Sequence, residues 1–272
     1  MASRDYSFAT FSKNDFYGEL NARLVDMADV GSDRRIVDLA CGTGSVTQLI
    51  LERLRDARDS VVIAIDQSAT ALKEAMEDLK DARDAAVQFV QSQVEQVSEN
   101  VKESVDTIFF CNAIHYVPDK EQLLTEISRA LKPGGKLAFN TAFFEGAHPP
   151  DTMVFARKWM MRSVRILRRE HGLSIVRSDK VESRNQLTPE EYRELLEDNG
   201  FRIVKQEIET VPVPMEGWRD ISGFKDFIGG AMPGVPMDKA SQALQAGCEQ
   251  IFTEMKREFV DRNWLRIVAV RV

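Results

Sequence analysis

The chain has 272 residues, 43% of them hydrophobic and 29% charged, with a formal net charge of −7. That is enough for one domain with a sizeable core and an added cap, and the acidic balance speaks against nonspecific nucleic-acid binding. No apolar run reaches the roughly 18 residues needed to span a bilayer, no signal-peptide stretch opens the chain, and three poorly spaced cysteines exclude a disulfide framework or zinc site.

The elements are read in chain order. An N-terminal arm, residues 1–30, precedes an alternation of short apolar runs and helical stretches. Strands are predicted at about 35–40, 61–66, 87–91, 105–111 and 136–142, and helices at about 46–57, 68–82 and 120–131. This alternation implies a doubly wound α/β fold, its parallel sheet covered on both faces. The charge run Lys73–Asp84 reads as a solvated helix face. Two insertions interrupt the pattern, at about 143–185 and 211–262. Pro212, Pro214, Pro233 and Pro236 in the second mark loops and bends rather than core strands. The expected division is thus arm 1–30, core 31–142, cap 143–185 and the rest of the core 186–272. Ligands of such sheets bind outside the carboxyl ends of the strands. The arm and both insertions are therefore the expected walls and lid of a water-excluding pocket.

Residues 36–47, Ile-Val-Asp-Leu-Ala-Cys-Gly-Thr-Gly-Ser-Val-Thr, carry the most information. An apolar strand ends, the chain turns tightly at Gly42 and Gly44, and a helix starts near Val46. Glycine there allows φ > 0 and a close backbone approach to a ligand. A dinucleotide loop would have a third glycine where Thr47 stands. Asp38 suits a cationic amino group and would repel a pyrophosphate. Asp66, ending the second strand, is placed to accept hydrogen bonds from ribose hydroxyls. A ligand with an amino-acid end, a ribose end and no phosphate fits all three, and S-adenosylmethionine is such a ligand.

At these residues the sequence resembles the class I S-adenosylmethionine-dependent methyltransferases of the small-molecule type. Asp-x-x-Cys-Gly-Thr-Gly matches the first motif of that superfamily, and Asp66 the second. Residues 105–119 are similar to its fourth strand and following turn, 131–137 to the turn before the fifth strand, and 187–201 to a late helix and sixth strand. A strand-like end lies at 264–272. The resemblance implies a mainly parallel seven-stranded Rossmann-like sheet with helical cap or lid insertions. It also implies cofactor contacts at Asp38, Ala40, Gly42, Gly44, Asp66, Gln67, Gln93, Val94 and Asn112. At 92–93 the family often has Gly-Asp where this chain has Ser92-Gln93; the Gln93 side-chain carbonyl can serve the same adenine amino group.

Methyl transfer needs a nucleophile held in line with the sulfonium methyl in a dry pocket. His115, just after the fourth strand, is a candidate general base or a histidine that shapes the pocket. Tyr17 is a second catalytic candidate, and Tyr6, Glu145 and His148 are further pocket candidates, with a loop role favoured for His148. Residues 155–169 place Phe155, Trp159, Met160, Val164 and Leu167 on one side of a helix. Their basic neighbours, including Arg157, Lys158, Arg162 and Arg165, form a solvated face, a clamp for an anionic group such as a phosphate, carboxylate or acidic carrier protein, or a membrane-surface contact. Aromatic residues in the arm and the second insertion point to a substrate with a large hydrophobic part.

Absences narrow the chemistry. The turn at Cys111-Asn-Ala-Ile lacks the Pro-Pro-aromatic run of enzymes that methylate planar nitrogens. No Pro-Cys pair occurs, and no magnesium ligand set like that of catechol-type enzymes is recognisable, so no metal is expected. The expected function is methyl transfer from S-adenosylmethionine to oxygen or carbon of a hydrophobic metabolite, free or carrier-bound and neutral or anionic, in the cytoplasm. The competing readings are a non-catalytic cofactor-fold interaction module and an NAD-dependent oxidoreductase. Acceptor identity and oligomeric state stay open.

Overall fold

The computed structural model describes residues 6–55, 59–81, 86–176 and 185–272. The expected helix ends at 56–57 and 82, the first five residues of the arm, and residues 177–184 of the first insertion lie outside the described residues. Seven strands form one sheet in the order β3-β2-β1-β4-β5-β7-β6. They are β1 Arg35–Leu39, β2 Val61–Asp66, β3 Ala86–Gln91, β4 Val105–Cys111, β5 Leu131–Thr141, β6 Phe201–Pro214 and β7 Phe259–Arg271. The first five run parallel, and β7 enters antiparallel between β5 and β6, pairing Phe139 with Ile267 and Ile208 with Leu265. The expected mainly parallel, seven-stranded, doubly wound α/β sheet is the fold observed.

The period-two pattern of each strand sorts its side chains to two cores. Ile36, Val62, Phe109, Ala138 and Val268 meet Leu24, Val25 and Ala28 of α2 (Asp15–Ala28) and Val46 and Ile50 of α3 (Ser45–Arg53). On the other face, Val37, Ile63, Ile108, Leu137 and Phe139 pack against Leu123 and Ile127 of α6 (Lys120–Ala130) and Tyr192 and Leu196 of α8 (Pro189–Asp198). Strands covered on both faces read as nearly continuous apolar runs, which is why they were legible. The start of α8 is set locally: Thr188 and Glu191 form a reciprocal capping box, with Pro189 in the first turn.

The arm is more structured than its sequence suggested. It contains α1 (Ala9–Ser12) and α2, and α2 is part of the core packing. The second insertion also begins later than expected, because β6 runs on through Pro212 and Pro214, which pair with Asp261 and Phe259. β6 is an edge strand, and alternate residues of an edge turn their N–H groups away from the neighbouring strand. Two prolines spaced by two therefore fit without removing ladder hydrogen bonds.

The long β6–β7 ribbon carries α9 (Met215–Ile221), α10 (Lys225–Ala231) and α11 (Met237–Met255). Against them lies α7 (Met153–His171) of the first insertion. Together with the arm they bury a third, aromatic-rich core. In it Trp159 donates from Nε1 to the Leu244 carbonyl at 2.8 Å, and Phe155 meets Trp218 and Phe252 at centroid distances of 5.3 and 5.1 Å. No described helix is long and apolar enough to cross a membrane.

Candidate active site

Strands β1, β2 and β4 end side by side, and the chain leaves two of them in the left-handed region at residues other than glycine. Ala40 has φ 57° and Asn112 has φ 49°. Such backbone costs of order 1–3 kcal/mol, persists where surroundings enforce it, and concentrates at functional sites. Both residues line one cavity of about 530 Å³ at the carboxyl ends of the strands. Gly42, Asp66, Gln67, Gln93 and Val94 line it as well. The position agrees with the rule for open α/β sheets.

The two glycines of the turn do different work. Gly42, at φ 56°, has nothing within 4 Å of where a Cβ would stand, so it presents an open cradle to the cavity. Gly44, at φ 84°, does not line the cavity. A Cβ there would come to 3.1 Å from Cβ of Ala75 and 3.0 Å from Leu79 Cδ1, at the end of α4 (Ala69–Asp78). Gly42 leaves room for a ligand, whereas Gly44 lets the turn pack on α4.

Asp66 uses both carboxylate oxygens on backbone: Oδ2 accepts from Gly42 N–H at 2.9 Å and Oδ1 from Ser68 N–H at 2.8 Å. Each oxygen keeps further acceptor capacity. Asp38 stands behind the wall rather than in it, 1% exposed, with Oδ2 accepting from Thr47 Oγ1 at 2.6 Å. Burial raises its pKa to about 7; the Thr47 hydrogen bonds oppose the shift and Asp66 adds to it. Among the described residues no cation pairs with this buried carboxylate, a state that an incoming ammonium would relieve.

Tyr17 lines the cavity from α2 and is hydrogen-bonded to Asn21 one turn on. Asn140 Nδ2 donates to Asn21 Oδ1 at 2.8 Å, and its own Oδ1 accepts from Asn112 N–H at 2.9 Å. This buried amide chain ties the left-handed corner after β4 to the tyrosine on α2. Burial, with Cys111 and Asp38 nearby, pushes the phenol pKa far up, so the hydroxyl keeps its proton.

His115, expected at the reacting centre, does not line the cavity. It is 2% exposed, with Nδ1 at 3.0 Å from Thr141 Oγ1, stacks on Phe143 at 4.2 Å and meets Tyr116 in a tilted contact at 4.1 Å. The cause is the 3₁₀ turn Ile114–Tyr116, which points successive side chains about 120° apart. Tyr116 lines the cavity, and His115 turns into the core. Burial, with Arg262 and Lys120 adding, holds the imidazole pKa well below its usual range. His148 also lies outside the cavity: its Nε2 is 2.6 Å from Nη1 of Arg262, and burial pushes its pKa down to about 3. Glu145 is exposed and likewise not in the lining, whereas Tyr6 is part of it.

The lid is built by the arm and the second insertion. Lys225 N–H donates to the Tyr6 carbonyl at 2.9 Å, Asn14 Nδ2 to Asp220 Oδ2 at 3.1 Å, and Ser12 Oγ lies 3.4 Å from Thr43 Oγ1 of the glycine turn. The first insertion contributes no described residue to the lining. Its basic helix, α7, faces α11 instead: Arg162 bonds Gln250 and Glu254 at 3.0 and 2.6 Å, and Lys158 bonds Glu254 at 2.9 Å. Phe8, Tyr17 and Phe224, expected among the aromatic pocket residues of the arm and the second insertion, line the cavity, whereas Thr47, Asn21, Tyr116 and Asp226 escaped sequence reasoning as site residues. Of these only Thr47 carried a local signal, its place in the helix turn after the glycines.

A family profile described as a methyltransferase domain matches residues 37–137. The trans-aconitate 2-methyltransferase of Azoarcus sp. strain BH72 is 38% identical over 103 residues, which are 38% of this chain and 37% of that protein. The trans-aconitate 2-methyltransferase of Acidovorax sp. strain JS42 is 27% identical over 231 residues, covering 81% of this chain and 80% of its own. Among solved structures, Escherichia coli YjhP superposes with a TM-score of 0.61 at 15% identity, covering 99% of this chain and 100% of YjhP, which is a likeness of fold. The chain spans only 51%, 37% and 43% of the length of the first three curated relatives it matches.

Proposed function

We propose that this chain, whose residues 37–137 match a methyltransferase-domain profile, is a class I S-adenosylmethionine-dependent methyltransferase that transfers a methyl group to oxygen or carbon of a hydrophobic small molecule. The observation that carries this reading is the single cavity joining Gly42, Asp66 and Gln93 at one end to Tyr17, Phe8 and Phe224 at the other. S-adenosylmethionine, when bound, supplies a methyl group on a positively charged sulfur. Asp38 attracts its ammonium group, the open face of Gly42 admits its amino-acid end, and Asp66 accepts from its ribose hydroxyls. Gln93 and Val94 border the adenine. Tyr17, Tyr116 and Phe224 exclude water and orient the acceptor. Relatives that act on trans-aconitate support a small-molecule acceptor.

The test is calorimetric titration with S-adenosylhomocysteine, S-adenosylmethionine and NAD, followed by mass spectrometry of a metabolite panel incubated with labelled methyl donor. Micromolar binding of both S-adenosyl compounds and a labelled product is the expected result. Tight NAD binding would replace this reading with a dehydrogenase. Binding of the S-adenosyl compounds with no labelled product across the panel would favour a non-catalytic module.

A further inference from the structure

The end of the cavity away from Asp66 is bounded by four rings in sequence. Tyr17 meets Phe8 at 5.5 Å, Phe8 meets Phe224 at 5.1 Å, and Phe224 meets Tyr116 at 6.1 Å. Into this aromatic enclosure the second insertion sends one acidic side chain, Asp226 of α10, which lines the cavity and acts electrostatically on Tyr116. Among the described residues its carboxylate has no hydrogen-bond or salt-bridge partner, and burial raises its pKa against the effect of Lys225. No arginine or histidine lines the cavity among the described residues. Lys225, the lysine in the lining, is exposed to solvent. Arg262 cannot substitute as an anion receptor. Its guanidinium is committed to the Ala142 carbonyl and His148 and lies outside the lining, against the rings of Phe143 and Trp218.

We propose that Asp226 selects the acceptor: this end of the cavity takes an apolar or aromatic body bearing a proton-carrying, non-anionic group, a hydroxyl or an amine, and rejects a carboxylate. Aromatic faces favour an apolar body and attract a cation, a partly buried carboxylate accepts from O–H or N–H, and the same carboxylate repels a second anion in a poorly solvated space. The inference rests on the methyltransferase reading for what the cavity is used for. It departs from the two trans-aconitate relatives, whose named substrate carries carboxylates.

Three probes share a phenyl body and differ in the terminal group: phenethylamine, 2-phenylethanol and phenylacetate. They are titrated calorimetrically into the protein with and without S-adenosylhomocysteine. The amine or the alcohol is expected to bind at least about tenfold more tightly than phenylacetate, and which of the two leads shows whether an ammonium or a hydroxyl is the group recognised by Asp226. Asp226→Asn should shrink that gap by raising phenylacetate affinity, while Asp226→Glu should keep it; thermal melts establish that both variants are folded. Tightest binding of phenylacetate, a gap unchanged in Asp226→Asn, or no binding of any probe at millimolar concentration overturns the proposal. Failure of S-adenosylhomocysteine to bind would overturn the methyltransferase reading alone, because the probe order is also read on the ligand-free protein.

Discussion

The carboxylate of Asp66, at the end of β2, accepts the N–H of Gly42 in the turn after β1 at 2.9 Å. The residue assigned to the ribose therefore also shapes the turn assigned to the amino-acid end. Two parts of one ligand site, 24 residues apart in sequence, are held as a unit.

Asp66→Ala should consequently do two things. S-adenosylhomocysteine affinity should fall by about 1.5–3 kcal/mol, the range for hydrogen bonds to a charged group. The melting temperature should fall as well, because Gly42 and Ser68 lose their acceptor. An unchanged dissociation constant would remove Asp66 from the site.

The two glycines separate a binding effect from a packing effect. Each replacement carries the left-handed penalty of about 1–2 kcal/mol. Gly42→Val should in addition abolish cofactor binding, since its side chain enters the open cradle. Gly44→Ala should unfold more readily than Gly42→Ala, because its methyl meets Ala75 and Leu79. Equal melting temperatures for the two alanine variants would contradict the packing role.

Asp38 makes both stability and binding depend on pH. Its pKa rises from an ordinary 3.8 to about 7, so the folded, ligand-free protein holds a proton that the unfolded chain releases between those values. Its contribution to stability is therefore greatest in acid and declines as pH rises through that window. An ammonium beside the carboxylate reverses the shift, so binding S-adenosylhomocysteine at pH 6 should release nearly one proton, and affinity should rise with pH toward 7. Calorimetry in buffers of different ionisation enthalpy measures this directly, and Asp38→Asn should abolish the release. Proton uptake on binding would refute the assignment.

His115 tests whether a ring outside the lining can still matter. His115→Phe keeps an aromatic ring against Phe143 and Tyr116 but loses the contact with Thr141. With the acceptor found in the labelled-methyl screen, KM should shift while kcat falls by far less than the about 10²–10⁴ expected for a lost general base. A loss of that size with a flattened pH profile would restore His115 as the base.

The basic helix should be silent in catalysis. Arg162→Ala combined with Arg165→Ala removes the contacts with Gln250 and Glu254, none of which lie at the cavity. Cofactor and acceptor affinities should stay at wild-type values at low and high salt. Weakened acceptor binding that salt abolishes would show instead that α7 reaches a substrate or carrier.

The sheet and the glycine turn that borders the cavity were legible because their determinants are local. β2 and β4 have the predicted bounds, and the turn between Asp38 and Thr47 announces itself by glycines whose φ values no other residue adopts cheaply. The strand prolines were misread because their tolerance depends on β6 being an edge, a property of sheet order and not of composition. His115 and Tyr116 are adjacent in sequence, and only the rotation of one 3₁₀ turn decides which of them faces the cavity. The aromatic end of the cavity is assembled from the arm, the turn after β4 and α10 more than 200 residues along the chain. Side chains brought together over such distances leave no periodic trace. Local turn chemistry and strand pattern thus determined the fold and the glycine-turn end of the cavity, while long-range packing decided that Tyr116 and Asp226 would join Phe8, Tyr17 and Phe224 at its aromatic end.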